Sequence, residues 1–192
     1  MFAVPVSLTQ FVAFWLMAAG FFLSIARAFW GKSSETGATT SSGSRLGIVL
    51  QMVGFAIVGF GVIRIALGPT SALALLETAV VVALMGSAIA LFVTSSRALG
   101  RNWSLVARTR SDHELVRTGP YAYIRHPIYT AACLFGWAGV LAHMSVGSVA
   151  LGGLLILGSV MRMLTEERLV AQRYPAYRQY AQTTKRMVPF VF

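Results

Sequence analysis

Three long stretches without charge limit what this chain can fold into. Residues 1–26, 78–96 and 128–161 contain no Asp, Glu, Lys or Arg. A helix needs roughly 20 apolar residues to cross the hydrocarbon core of a bilayer, and each stretch is about that long or longer. Because 56% of the 192 residues are hydrophobic and only 11% are charged, one soluble core of this size could not bury the apolar surface. The sequence therefore predicts an integral membrane protein.

Three membrane helices are expected in the N-terminal half. Residues 1–26 are interpreted as a retained helix, because they lack a basic start and exceed the roughly 7–15 apolar residues of a secretory signal. Residues 31–44, rich in Gly, Ser and Thr, are predicted to be a flexible loop before a second helix at about 46–67. Gly68-Pro69 then breaks the pattern, and a third helix is predicted over about 71–96.

Basic residues indicate how the chain crosses the membrane. All Lys and Arg except Arg64 follow helix one, follow helix three or lie in the C-terminal tail. By the positive-inside rule these regions are cytoplasmic and the N-terminus is outside, in the inner membrane if the source is bacterial. The tail from Arg162 is then inside only if residues 128–161 cross twice, turning near residues 143–148. The predicted fold is all-α, with five transmembrane helices, the last two a tight hairpin, a cytoplasmic C-terminal helix and no Rossmann domain.

The formal net charge of +10 suggests either nucleic acid or an anionic membrane surface as a partner. Topology accounts for this charge, so contact with membrane lipids is expected and nucleic-acid binding is not. The one cysteine, Cys133, cannot form an internal disulfide. Because carboxylates and histidines do not occur at metal-ligand spacing, no metal site is predicted.

Two polar clusters flank the predicted hairpin. The first contains GRNWS at 100–104, DHELV at 112–116, GPY at 119–121 and RHPIY at 125–129. The second runs from Arg162 through Glu166 and Glu167 to Tyr177 and Tyr180. Because the hairpin returns both ends to one interface, the clusters are expected to meet. Adjacent carboxylates at a hydrocarbon boundary are costly unless Arg125, Arg162 or a cationic ligand meets them.

A purely structural interpretation of these residues stands beside the functional one. Basic residues that flank membrane helices commonly anchor them and set their orientation. The tyrosines and Trp103 could form an interfacial aromatic belt. His143, at the opposite turn, is interpreted as structural.

The ordered motifs GRNWS, HxLV, GPY, RHPIYT, EExL and YxxY resemble the isoprenylcysteine carboxyl methyltransferase family, which includes bacterial relatives and is related to phospholipid N-methyltransferases. The resemblance covers residues 100–192 and implies a cofactor-binding methyltransferase region there, after the three helices of residues 1–99. It also implies a small helical membrane enzyme that uses S-adenosylmethionine and releases S-adenosylhomocysteine. Ala131 departs from the family, in which glycine is common at this position.

Matched motif by motif, the resemblance implies ten cofactor-binding residues: His113, Leu115, Val116, Gly119, Tyr121, Arg125, His126, Tyr129, Glu166 and Glu167. The sequence leaves open which member of the Glu pair contacts the cofactor. Glu166, Arg162 and Arg125 are the candidate catalytic residues. Arg162 would orient a carboxylate acceptor, whereas an amine acceptor needs a base, for which Glu166, Glu167 and His126 are candidates.

The leading hypothesis is methyl transfer to a carboxylate of a lipidic, prenylcysteine-like acceptor at the cytoplasmic interface. Phospholipid-amine N-methylation and small-thiol S-methylation are the alternatives that use the same cofactor. An NADPH-dependent membrane reductase and a non-enzymatic membrane subunit are alternatives from other classes. The sequence names neither the acceptor nor the oligomeric state.

Overall fold

The computed structural model describes residues 4–30, 39–40, 42–58, 63–100, 108–109 and 115–188. In these ranges the chain forms β1 (Pro5–Ser7), α1 (Leu8–Phe29), β2 (Thr39–Thr40), α2 (Ser42–Val58), β3 (Arg64–Leu67), α3 (Ala72–Leu99), β4 (Arg108–Thr109), α4 (Pro127–His143), α5 (Val146–Arg173) and α6 (Tyr177–Thr183). A short 3-10 helix, Gly119–Ala122, precedes α4. The strands pair only as β1 with β3 and β2 with β4, so the described part of the chain has no Rossmann sheet.

Among the described residues, three helices are long and apolar enough to cross a membrane: Leu8–Ala28, Ala72–Leu99 and Val146–Gln172. Helices α2 and α4 have 17 residues each, the lower end of the range that spans a bilayer. The chain is therefore a mostly helical protein with several membrane-type helices. The count of five spans stays a prediction.

The predicted end of the second helix at Leu67 is wrong. Arg64–Leu67 is strand β3, which pairs in parallel with β1 through Pro5↔Arg64 and Val6↔Ile65. Short apolar runs with β-branched residues do not distinguish strand from helix by hydropathy alone. Of the predicted loop, residues 31–38 and 41 lie outside the described residues.

Helices α1, α3 and α4 share one core. Its buried residues are aromatic or small on α1 and α4, and include aliphatic side chains on α3: Phe14, Ala18 and Phe21, then Val81, Met85, Ala88 and Phe92, then Ala131, Phe135, Ala138 and Ala142. Small side chains on α4 let neighbouring backbones approach, which is how helices pack where lipid supplies no hydrophobic drive. The rings of Phe21 and Phe135 pack at a centroid distance of 5.0 Å.

A two-residue turn, Met144 and Ser145, joins α4 to α5 within the predicted turn region. Met144 adopts a left-handed backbone with φ of 44°, and its carbonyl accepts a hydrogen bond from Val4 N at 2.9 Å. Ser145 and Ser148 form a capping box at the start of α5. Because α5 continues past the predicted end at Met161 to Arg173, the second polar cluster begins on a helix rather than after one.

Helix α5 also packs closely against α2, at Gly47 and Gly158. A Cβ built on Gly158 would lie 2.8 Å from the carbonyl oxygen of Gly47, and one built on Gly47 would lie 2.9 Å from that of Gly158. The two backbones therefore touch, and no side chain fits between them. This crossing lies one helical turn from Arg162.

Gly158→Ala is expected to lower the free energy of unfolding by about 1–3 kcal/mol, because the added methyl group must push α2 away from α5. Gly153→Ala on the same helix is the control, since nothing lies within 4 Å of a Cβ there. Thermal unfolding of both variants in detergent measures the difference. Equal midpoints would show that α2 is not held against α5 at this crossing.

Candidate functional site

Glu166 and Glu167 lie side by side on α5 but have different surroundings. Consecutive residues on an α-helix project about 100° apart, so the two side chains leave the helix in different directions. The structure assigns each of them to its own polar group.

Three basic side chains surround Glu167. Its Oε1 accepts a hydrogen bond from Arg125 Nε at 3.0 Å and lies 3.2 Å from His126 Nε2. Its Oε2 accepts from Arg186 Nε at 3.1 Å. The Glu167 side chain is only 14% exposed, so these partners replace the water that a buried carboxylate would lose. Both oxygens of Glu167 are therefore engaged by the protein itself.

The residues that hold Glu167 also hold the segment after α6, residues 184–188, which we name the C-terminal strap. Three donors at the start of α4 bind its carbonyl oxygens: Arg125 N to Lys185 at 2.8 Å, His126 N to Arg186 at 2.9 Å and Thr130 Oγ1 to Met187 at 2.8 Å. Arg125 Nη1 further donates to the carbonyl oxygens of Ala181, at 3.0 Å, and of Thr184. The positively charged guanidinium also lies at the C-terminus of α6, where the helix dipole is negative, and the two attract each other. Arg125 therefore holds the C-terminal strap against the start of α4.

Glu166 belongs to a second group with Tyr129 and Arg162. The Tyr129 hydroxyl donates to Glu166 Oε2 at 2.8 Å. Among the described residues, this is the hydrogen bond that Glu166 makes. The Arg162 guanidinium carbon lies 5.1 Å from the centre of the Tyr129 ring, a cation–π arrangement. One tyrosine thus connects a half-buried carboxylate with a buried guanidinium.

Gln51 of α2 also belongs to this group, although it was absent from the predicted site. Its Oε1 accepts from Arg162 Nη1, and its Nε2 donates to Ser159 Oγ at 2.8 Å. The Ser159 hydroxyl in turn donates to the Leu155 carbonyl oxygen at 2.9 Å. A signal existed in the sequence, because Gln51 is the one strongly polar residue between Leu46 and Val58, and buried polar residues in membrane helices are commonly functional.

The segment before α4 is fixed by tyrosines. Gly119 opens its 3-10 helix with φ of 61°, a left-handed conformation that favours glycine. The buried Tyr180 hydroxyl of α6 donates to the Tyr121 carbonyl oxygen at 2.6 Å. Leu115 and Val116 precede this helix and are half-buried. His113 and residues 101–104 of the first motif lie outside the described residues.

Tyr180→Phe should lower the free energy of unfolding by about 1 kcal/mol at pH 8, through loss of this hydrogen bond. Burial raises the pKa of Tyr180 to about 12, above its ordinary value of about 10. Its stabilising effect is therefore complete below pH 10 and is lost as the pH rises towards 12. Thermal unfolding at pH 8, 10 and 11 should show a shallower decline for the variant, with the exposed Tyr123→Phe as control. Parallel declines would contradict the assignment.

Where the clusters meet, Arg125 pairs with Glu167, whereas Glu166 accepts a hydrogen bond from Tyr129. Adjacent residues of α5 project about 100° apart, which separates the two carboxylates. The placement of Arg125 and Glu166 around a common ligand stays a prediction. In the ranges that the structure covers, no three His, Cys, Asp or Glu side chains come together as metal ligands do.

Comparison with known proteins agrees with a membrane methyltransferase. The phospholipid methyltransferase family matches residues 76–177, just over half of the chain. The chain is 34% identical over 95 residues to the cobalt-zinc-cadmium resistance protein CzcN of Cupriavidus metallidurans, covering 47% of this chain and 43% of that protein. It is 30% identical over 95 residues to the nickel-cobalt-cadmium resistance protein NccN of Alcaligenes xylosoxydans xylosoxydans, covering 47% and 44%. The matches thus span less than half the length of either relative. By the extent of its match, this chain belongs to the phospholipid methyltransferase family.

Proposed function

We propose that this protein transfers a methyl group from S-adenosylmethionine to the head group of a lipidic acceptor at the cytoplasmic face of a membrane. One observation carries the proposal. Tyr129 contacts both a carboxylate and a guanidinium, because its hydroxyl donates to Glu166 and Arg162 lies over its ring, near the end of an apolar helical hairpin. Membership in a methyltransferase family supports it.

The residues present fit the proposed cofactor. S-adenosylmethionine carries a sulfonium, an ammonium and a carboxylate, so its site needs charges of both signs. Glu166 supplies the negative charge, and its partner Tyr129 is neutral. Glu167 does not suit this role, because Arg125, His126 and Arg186 already engage both of its oxygens. Glu166 is therefore our choice for the cofactor-binding carboxylate.

The remaining predicted cofactor residues would form the wall of the pocket. The backbone of Gly119 and Tyr121 would shape the pocket, and His113, Leu115 and Val116 would line it. Arg125 and His126 act from behind this wall, through the C-terminal strap and Glu167. We accordingly propose Arg125 as a positioning residue rather than a catalytic one.

When bound, the cofactor supplies an electrophilic methyl group. The protein must hold the acceptor atom roughly 3 Å from that methyl group and in line with the bond that breaks, and exclude water there. Arg162, fixed on the face of Tyr129, would orient an anionic acceptor. Glu166 would stabilise positive charge on the cofactor side. For a carboxylate acceptor no proton has to leave.

Two acceptor classes are each favoured by a separate observation. The family description names phospholipid substrates, which favours an amine of a phospholipid head group. The buried Arg162 favours an acceptor carboxylate, such as that of a prenylcysteine-like lipid. An amine would need a base, and Glu166 is the available candidate because Glu167 and His126 are paired with each other. The acceptor tail would enter laterally between helices, which accounts for the membrane location.

Isothermal titration of the purified protein with S-adenosylhomocysteine tests the proposal, with NADPH as the control for a reductase. Membranes are then incubated with methyl-labelled S-adenosylmethionine. Label in base-labile esters identifies a carboxylate acceptor, and stable N-methyl label identifies an amine. The proposal fails if the intact protein binds neither S-adenosylmethionine nor its product.

A further inference from the structure

We infer that Gln51 is a positioning residue that holds Arg162 ready for an anionic oxygen of the acceptor head group. This inference rests on the proposed function and extends it to α2, outside the residues 76–177 that match the family. It assigns a role in the site to the N-terminal half of the chain.

Both ends of the Gln51 amide are used. The side chain is 3% exposed, with its oxygen bound to Arg162 Nη1 and its nitrogen bound to Ser159 Oγ at 2.8 Å. Ser159 is anchored in turn on the Leu155 carbonyl oxygen. A buried amide with both groups satisfied has one preferred orientation, so its oxygen fixes where the guanidinium lies.

The close crossing of α2 and α5 makes this contact possible. Gly47 and Gly158 bring the two backbones into contact, so Gln51 reaches across to residues 159 and 162 of α5. The Gln51 Cγ atom lies 3.2 Å from a Cβ built on Gly158. A larger residue at either glycine would withdraw the amide from the arginine.

Gln51 orients Arg162 without neutralising it, because an amide oxygen carries no net charge. A carboxylate at residue 51 would also hold the guanidinium but would cancel its attraction for an anion. Arg162 keeps its planar fork on the face of Tyr129, and such a fork recognises carboxylate or phosphate oxygens. The ligand chemistry is thus an oxyanion, which a lipid carboxylate or a phospholipid phosphate could supply.

The inference is tested by measuring the kinetics of two variants and of one control variant. Gln51→Leu removes the hold on Arg162, Gln51→Glu keeps the hold but adds a competing charge, and Met52→Leu changes a neighbouring residue that is 48% exposed. The acceptors are S-farnesylcysteine, as a carboxylate, and vesicles of phosphatidylethanolamine in phosphatidylcholine, as a phosphate. Titration with S-adenosylhomocysteine measures the cofactor side separately.

For whichever acceptor the wild type uses, Gln51→Leu is expected to raise the acceptor KM by about tenfold or more, the cost of losing a hydrogen bond to a charged group. The Kd for S-adenosylhomocysteine should stay unchanged. Gln51→Glu should raise the acceptor KM as well, with unaltered thermal stability, and Met52→Leu should change neither constant. An unchanged acceptor KM in Gln51→Leu, or an equal shift in KM and Kd, would overturn the inference.

Arginine side-chain NMR provides a readout that does not need activity. The Arg162 guanidinium signals, assigned by their loss in Arg162→Lys, should carry a ring-current shift from Tyr129. This shift should diminish in Gln51→Leu and persist in Met52→Leu and Gln51→Glu. If the wild type neither binds S-adenosylhomocysteine nor transfers methyl groups, the proposed function fails while the NMR result still decides whether Gln51 positions Arg162. An unmoved signal in Gln51→Leu rejects the positioning role.

Discussion

Glu166→Gln is expected to weaken S-adenosylmethionine binding by about 10- to 100-fold while the protein stays folded. The expected loss corresponds to one hydrogen bond to a charged group, about 1.5–3 kcal/mol. Stability should change little, because the described structure gives Glu166 a single hydrogen bond, from Tyr129, which the Gln amide oxygen can still accept. Isothermal titration measures the affinity, and thermal unfolding in detergent measures the stability.

Titration with S-adenosylhomocysteine distinguishes two possible positions of the Glu166 carboxylate, near the ammonium or near the sulfonium of the cofactor. The product keeps the ammonium but lacks the sulfonium, so equal losses for both ligands would put Glu166 near the ammonium. A larger loss for S-adenosylmethionine would put Glu166 near the sulfonium. Tyr129→Phe, which removes the hydroxyl that orients Glu166, should weaken binding by a smaller factor. Wild-type affinity in Glu166→Gln would disprove the assignment of Glu166 to the cofactor.

Glu167→Ala is expected to lower the free energy of unfolding by about 3–5 kcal/mol. It thus differs from Glu166→Gln, which should affect cofactor binding and leave stability nearly unchanged. Removing one partner of a buried ion pair leaves the other charge uncompensated, which is what makes such changes costly. Here Arg125, His126 and Arg186 would all lose their shared carboxylate. Thermal unfolding should show the loss, and limited proteolysis should show earlier cleavage in the C-terminal strap.

Arg168→Ala is the matched control, since Arg168 is the next residue of α5 and is exposed. Its midpoint and its proteolysis pattern should resemble those of the wild type. If Glu167→Ala instead retained full stability and lost cofactor binding as strongly as Glu166→Gln, both carboxylates would belong to the cofactor site.

The general plan of the C-terminal half could be predicted because membrane chemistry leaves few options. An uncharged run of 34 residues with basic residues at both ends required a hairpin, and its turn lies at Met144 and Ser145 as expected. Pro127 begins α4, where its missing N–H costs nothing. The expected meeting of the two polar clusters follows from this hairpin, and Arg125 and Glu167 show it.

Finer features depended on helix rotation and on contacts distant in sequence. Hydropathy gave no reason for α5 to continue to Arg173, and that continuation separates Glu166 from Glu167 by about 100° around the helix. The pairing of Gln51 with Arg162 links residues 111 positions apart and depends on two glycines whose proximity a single sequence does not reveal. Strand β3 could not be predicted for a similar reason, since it pairs with β1, the segment before α1.

The strap also has a consequence for biosynthesis. Arg186 is translated 19 residues after Glu167, and the carbonyl groups that receive Arg125 and His126 come later than both hairpin helices. Insertion of the hairpin can therefore precede the ordering of its polar end. Glu167 acquires its full set of partners only after Arg186 has been synthesised, later than both helices of the hairpin.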